Sequence, residues 1–309
     1  MRTLTIQCVA KAGSAARFVA VVLAHLPYLA SSPAIGSDDG MVHVDVSSEL
    51  LAREARQSIE KVIPVRDVIL GVPVQGNARL KAVTSLKLLD GQEKGVFELL
   101  LTGSAVSTTR ANGGKAVIHC RTVTRFTARK QIVLDQRGLH AQPATCCAVA
   151  TSTITGVSSP LPRLRGRLAR RVAWRRAQSQ RAQAERISAR HSEQTIGHSF
   201  DADIALEMRQ ANAWLASRLK NDGISGSRSE PSFRTSITGL RVTGLPGNIT
   251  DMASFQNTLK DKDVALGLRF ERGNLVLTVD LPRLKAAAGG DLAESREPAV
   301  PRAARFLPD

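Results

Sequence analysis

The sequence predicts an α+β protein: a long-stranded antiparallel meander sheet packed on one face by helices, with a C-terminal β-hairpin. Three observations carry that expectation. The runs "RLKAVTSLKLLD" (Arg79 to Asp90), "GVFELLLTGSAVSTT" (Gly95 to Thr109) and "KAVIHCRTVTRFTARKQIVLD" (Lys115 to Asp135) are β-prone and are separated by the turn-forming "GQEK" and "RANGG". Two hairpins, read independently, send the same residues to one face. After Pro162 the chain becomes rich in Ala, Arg, Gln and Leu, all good helix formers.

Register follows from the turns, because a slip of one residue would exchange the two faces of a strand. A first turn centred in "GQEK" sets Leu88 opposite Phe97, Leu86 opposite Leu99 and Leu80 opposite Ala105. A second centred at Asn112-Gly113 sets Leu99 opposite Phe126, Leu101 opposite Thr124, Ala105 opposite Cys120 and Ser107 opposite Ile118. On the other face Lys87 meets Glu98, an opposite-charge cross-strand pair. The third strand then aims Ile118, Cys120, Thr122, Thr124, Phe126 and Ala128 at the core. His119, Arg121, Arg125 and Arg129, mixed with Val123, point away. "PATCCAVATSTITG" (Pro143 to Gly156), after the "DQRG" turn, extends the sheet.

The helical part is one long helix, or two joined near Gly197. Its first stretch, Arg163 to Arg190, holds ten Arg and one Glu and has a thin apolar stripe of Leu164, Leu168 and Val172. Its second places Ile196, Phe200, Ile204, Met208, Ala211, Leu215 and Leu219 on one face that packs on the sheet. Trp174 and Trp214 read as packing residues. Upstream, Met41 to Ile63 reads as a short strand and then, from Ser47 or Ser48 as N-cap, an amphipathic helix through Leu50, Leu51, Ala55, Ile59 and Val62. Pro64 and Pro73 give the next run a bent or edge course.

Near the C-terminus a hairpin about Arg272-Gly273 pairs Phe270 with Leu275, Leu268 with Leu277 and Leu266 with Val279. It belongs to a region, 233–284, that completes or adjoins the main sheet. "VHVDV" and "LVLTVDL" share a strand character that could bring both ends of the fold into one sheet. The expected organisation is a signal segment (1–36), a main domain (41–220), a linker (221–232), the hairpin region and a disordered tail (285–309).

Composition bounds function. With 309 residues and 43% hydrophobic content the chain can build a real core, and a net charge of +16 selects anionic partners. Aromatics at 4% leave little for a base-stacking platform. Arg2, Lys11 and Arg17 precede the apolar run "FVAVVLAHLPYLA", and "SSPA" ends at Ala34, the order of a secretory leader; the run is too short to span a bilayer, and its other reading is an ordinary buried helix. If Cys8 leaves with it, Cys120, Cys146 and Cys147 remain, an odd number that cannot complete a disulfide framework. Adjacent Cys146 and Cys147 point to opposite faces of a strand.

Chemistry is hard to find. The sequence has no P-loop, GxGxxG, GxSxG or HExxH pattern, and no CxxC or His pair at metal-ligand spacing. His43, Asp45 and Ser47 line one strand face without making a triad. His119 and His140 have no carboxylate that spacing would bring to them, and Asp201 and Asp203 read as N-terminal helix carboxylates or solvated groups. No cofactor or metal is expected.

"IPVRDVILGVPVQG" and "VIHCRTVTRFTARKQIVLD", followed by the Arg-rich helix, resemble an uncharacterised group of predicted exported bacterial proteins over about residues 62–219. The resemblance implies export and carries no activity, cofactor or site. The leading expectation is a non-enzymatic exported envelope or periplasmic protein that binds or scaffolds an anionic polymer, a lipid headgroup or an acidic protein. The candidate anion-binding residues are Arg121, Arg125 and Arg129 on the strand and Arg163, Arg165, Arg167, Arg170, Arg171, Arg175 and Arg176 on the helix. A groove-type lipid carrier would need an uncovered apolar sheet face. The alternative is a cytoplasmic nucleic-acid-binding protein using the Arg-rich helix, and an enzyme comes third.

Overall fold

A computed structural model describes residues 41–221, 232–246, 265–271 and 274–280. The expected leader, the interior of the linker, the glycosylation-type "NIT" at Asn248 and the tail lie outside the described residues. The elements run β1 (Met41–Ser47), α1 (Ser48–Ala55), β2 (Gln57–Ile69), β3 (Val72–Leu89), β4 (Gly95–Asn112), β5 (Val117–Asp135), β6 (Gly138–Ala141), β7 (Thr145–Ser158), α2 (Arg163–Asn221), β8 (Ser232–Ser236), β9 (Gly239–Pro246), β10 (Ala265–Glu271) and β11 (Asn274–Asp280). The architecture is α+β, with a long-stranded antiparallel meander covered by helix.

The main sheet runs β2-β3-β4-β5, and the far side of β5 is shared by β6, along Ile132–Asp135, and β7, along Val117–Arg129. The β3–β4 register is the expected one, with Leu88 on Phe97, Leu86 on Leu99, Leu80 on Ala105 and Lys87 on Glu98. The β4–β5 register is corrected. Asn112 pairs with Val117 across a loop of Gly113 to Ala116, so Leu99 meets Lys130, Leu101 meets Ala128, Ala105 meets Thr124 and Ser107 meets Thr122. The loop is longer than an Asn-Gly turn because Gly113 N donates to Ala116 O and Gly114 N, at φ +77°, donates to Asn112 Oδ1. The shift is even, so every side chain keeps its face. The β2–β3 connection is a two-residue turn in which both Leu70 (φ 52°) and Gly71 (φ 75°) are left-handed, the primed geometry that fits hairpin twist.

α1 is shorter than its periodicity implied. Ser47 accepts from Leu50 N as the N-cap, but the helix stops at Ala55, and Ile59 and Val62 belong to β2. Thr84 on β3 fixes that end: its hydroxyl donates to Ala55 O and accepts from Gln57 N, turning the chain into the edge strand. β2 is the free edge of the meander, as Pro64 led one to expect, whereas Pro73 stands at the start of β3, an interior strand.

One core joins these parts. Leu80, Leu86, Leu88, Phe97, Leu99, Phe126, Ala128, Ile132 and Leu134 of the sheet pack with Leu50, Leu51 and Ala55 of α1 and with Phe200, Ile204, Met208 and Ala211 of α2. The inner sheet face is therefore filled by side chains, and the acyl-groove version of the function loses its space at this level. Gly103 lies under the Phe126 ring; a Cβ there would meet Phe126 Cζ at 2.8 Å, Ala82 Cβ at 2.7 Å and Lys81 O at 2.5 Å. Glycine at this place lets an aromatic ring cross the sheet floor.

α2 is one unbroken helix of 59 residues, with no break at Gly197. It closes the curled sheet by reaching both sides. His191 Nδ1 contacts Asp67 on β2 at 2.9 Å, while Glu193 and Asp201 engage β7 and the segment before it.

The second sheet has the order β10-β11-β1-β9-β8, with β11 parallel to β1 and β9 antiparallel to it. The β10–β11 hairpin has the expected pairs, Phe270 with Leu275, Leu268 with Leu277 and Leu266 with Val279. The C-terminal region thus stands beside the first strand and leaves the main sheet as it is. Thr235 of β8 joins the two sheets: its backbone pairs with Gly91, its hydroxyl donates to Leu89 O and accepts from Val96 N.

Candidate anion-binding surfaces

β7 would be an open edge, with backbone donors free to pair with another chain. α2 runs antiparallel along it and supplies acceptors instead. Ser152 N donates to Glu185 Oε1 (2.7 Å), Ala148 N to Glu193 Oε1 (2.8 Å) and Ala144 N to Asp201 Oδ1 (2.9 Å). The spacings match: eight helical residues rise about 12 Å and four strand residues about 13 Å. Beyond these, Asn212 accepts from Leu139 N at 2.7 Å and donates to Leu139 O at 2.9 Å, closing the edge of β6.

Asp201 is thus no solvated helix-start carboxylate. It sits mid-helix and pairs with Lys130, which is buried on the core face of β5 and also donates to Gln142 O. Asp203, two residues on and therefore on another side of the helix, is held up to about 6 by burial, against the attraction of Lys61 and with repulsion from Glu207 added. Spacing gave no access to Lys130–Asp201, because the partners are far apart in sequence and Lys130 occupies a core-parity position. His140 is a correction of another kind: it meets Asp135, only five residues back, at 3.1 Å across the β5–β6 turn, a carboxylate the hairpin brings to it. His119 meets Ser158, distant in sequence, at 3.2 Å.

Three helix carboxylates are consumed by the sheet edge, and the candidate arginines of the helix are left outside. Arg163, Arg165, Arg167, Arg170, Arg171, Arg175 and Arg176 are all exposed. Among the described residues none of the seven forms an ion pair; Arg176 donates to Gln180 Oε1 at 3.3 Å, and Arg181, further on, pairs with Glu185 at 3.6 Å. Small residues, Gly166, Ala169, Ala173 and Ala177, form the less exposed side of this stretch. Leu164, Leu168 and Val172 are exposed, and so is Trp174, which is therefore not the packing residue expected.

The strand row is also external. Arg121, Arg125 and Arg129 are exposed on the outer face of β5, alternating with buried Thr122, Thr124, Phe126, Ala128 and Lys130 on the inner face. Exposed Arg79 and Arg110 share that outer face, and none of the five pairs with a described carboxylate. Lys81 differs, since Glu60 reaches it at 3.2 Å. Beside Arg125 lies an open hollow of about 870 Å³ floored by Val83, Thr102, Thr127, Cys147 and Val149. The candidate arginines therefore form two surfaces: the row on the outer sheet face, and the helix group beyond the β7 edge.

Two of the three thiols, Cys120 and Cys146, are partly buried. Cys146 faces inward and is pushed up to about 11 by burial, then by Glu193 and Cys147; burial also raises Cys120. Cys147 is exposed on the outer face, as strand alternation predicts. Among the described residues there is no cluster of His, Cys, Asp and Glu suited to a metal ion, and no helix long and apolar enough to cross a membrane. Comparison with protein families, with curated proteins and with solved structures finds no match to this chain.

Proposed function

We propose that this protein is an exported envelope protein that binds or scaffolds an anionic partner, and that it works without catalysis. The observation that carries the reading is the segregation of charge along α2 and β5. Glu185, Glu193 and Asp201 of α2 hold the sheet edge, while the candidate guanidinium groups of α2 and β5 are exposed without ionic partners among the described residues. Guanidinium groups pair bidentately with carboxylates and phosphates, so an unneutralised field of them favours such groups on a partner. The export half of the reading rests on the leader-like order at the N-terminus and on the resemblance of residues 62–219.

The binding half is tested by titrating the full chain with polyphosphate over a salt series. Binding should weaken steeply with salt, and replacing Arg165, Arg171 and Arg175 by Gln should reduce the log–log slope by about 2–3 if each guanidinium displaces one counterion. The variant with Arg121, Arg125 and Arg129 replaced by Gln reports the strand row separately. Salt-independent binding, or none, would remove the reading. Mass spectrometry of the mature N-terminus tests export: a product beginning near Ala34, recovered outside the cytoplasm, is expected, and an intact Met1 in the cytoplasm would instead favour nucleic acid as the polyanion.

A further inference from the structure

The apolar crest on the basic half of α2 identifies the partner of that surface more closely. Leu164, Leu168 and Val172 recur every fourth residue, on the side of the helix opposite Gly166, Ala169, Ala173 and Ala177. They are 77%, 65% and 57% exposed, against 8% or less for Phe200, Ile204, Met208 and Ala211 further along the same helix. Arg167 and Arg171 lie on one flank of the crest and Arg165 and Arg176 on the other, by the same 3.6-residue period.

The crest also projects. From Glu185 back to Arg163 the helix covers about 33 Å, whereas β7 covers only about 20 Å from Ser152 on to Ser158. About the first 13 Å of α2 therefore overhang the end of the strand, by the same rises. Gly166 fits the Leu161 carbonyl so closely that a Cβ would approach it at 2.3 Å, which ties the overhang to the turn before it. The Ser159 hydroxyl donates to Lys115 O at 2.7 Å and accepts from Leu161 N at 3.2 Å, bracing that turn on the β4–β5 loop.

We propose that this projecting end of α2 docks on an anionic lipid bilayer, with Leu164, Leu168 and Val172 entering the interface and the flanking arginines meeting lipid phosphates. The inference rests on the anionic-partner reading and names the partner of its helical surface. An apolar ridge between two rows of cations is the geometry of an interfacial helix, in which the cations reach up to the headgroups as the ridge sinks. Polyphosphate or nucleic acid would satisfy the arginines and leave the ridge in water. A second copy of the chain would cover the ridge and set arginine against arginine. A bilayer carrying negative headgroups accommodates both features.

The test uses the full chain with vesicles of phosphatidylcholine, with and without phosphatidylglycerol, and polyphosphate as a second probe. Co-sedimentation with the phosphatidylglycerol vesicles is expected, and little with phosphatidylcholine alone. The L164S/L168S/V172S variant, unchanged in charge and expected to keep its urea midpoint because all three residues are exposed, should bind the anionic vesicles about tenfold more weakly or worse. Its polyphosphate affinity should not change. Equal vesicle binding by the variant, or polyphosphate binding by the wild type without vesicle binding, overturns the bilayer proposal and leaves the anionic reading standing. Failure of the wild type to bind either probe overturns both.

Discussion

Residues 163–190 of α2 hold ten Arg and one Glu with an exposed aliphatic crest, whereas residues 196–211 bury Phe200, Ile204, Met208 and Ala211 in the core. Both stretches belong to one helix that runs antiparallel to β7, and a carboxylate from each serves that edge: Glu185 at Ser152 in the first and Asp201 at Ala144, just before the strand, in the second. The difference lies in what the remaining positions face. In the second half the helix lies over the inner face of β5, where large apolar side chains meet Phe126, Ile132 and Leu134. In the first half it runs out past the strand, and only small residues are needed on the near side. One helix thus performs two tasks, closing a sheet and extending a charged surface.

The comparison can be broken at the apolar end first. Phe200→Ala should destabilise the fold by about 3–5 kcal/mol, the usual cost of emptying a buried aromatic site, read as a fall in the urea midpoint. Lys130→Ala comes next, at about 2–3 kcal/mol, since it leaves Asp201 facing the core without its cation while a third of that carboxylate still reaches water. Retention of full stability by this variant would mean that the pair merely accompanies the packing.

Asp203 sharpens the same boundary through pH. Its folded value, about 6, lies above the reference 3.8, so the folded state holds the proton more tightly and its contribution is lost as pH rises through that window. Asp203→Asn should therefore melt higher than the wild type at neutral pH and no higher below about pH 3.5, where the wild-type carboxyl is protonated in both states. A gap that does not change with pH would assign the effect to something other than titration.

Smaller effects belong to the edge caps. Glu193→Ala should cost about 1 kcal/mol by leaving Ala148 N without its acceptor, and Glu193→Gln, which keeps an acceptor oxygen, should recover most of it. At the basic end, replacing Arg171 and Arg175 by Gln should change stability by no more than about 0.5 kcal/mol, because both are exposed and neither makes an ion pair with a described residue. Their effect should be on polyanion binding alone, which separates the two ends of the helix by readout as well as by size.

Much of the fold was legible because strand alternation and turn chemistry are local. The β3–β4 and β10–β11 registers followed from turn centres alone. The β4–β5 register missed by four residues because the glycine-rich "RANGG" could be centred in more than one way, yet face assignment survived since the shift was even. α1 was overextended into Ile59 and Val62 because apolar residues there satisfy a helical period and a strand alternation alike; Thr84, distant in sequence, ends the helix. The candidate arginines were found by composition. Their division between strand face and helix followed from strand alternation, whereas the exposure of Leu164, Leu168 and Val172 did not follow from the sequence.

The sequence by itself determined the faces of the long strands, the helix after Pro162 and the concentration of positive charge in its first half, all set by periodicity, propensity and count. Tertiary structure decided how those parts use one another. The carboxylates at Glu185, Glu193 and Asp201 become strand caps because helical and extended rises coincide over their spacing, and Lys130 becomes a core residue because Asp201 is delivered to it from across the fold. Whether a leucine on a helix is core or crest depends on what lies opposite. Here the sheet continues beneath Phe200 and Ile204, while by the rises of helix and strand it ends before Leu164.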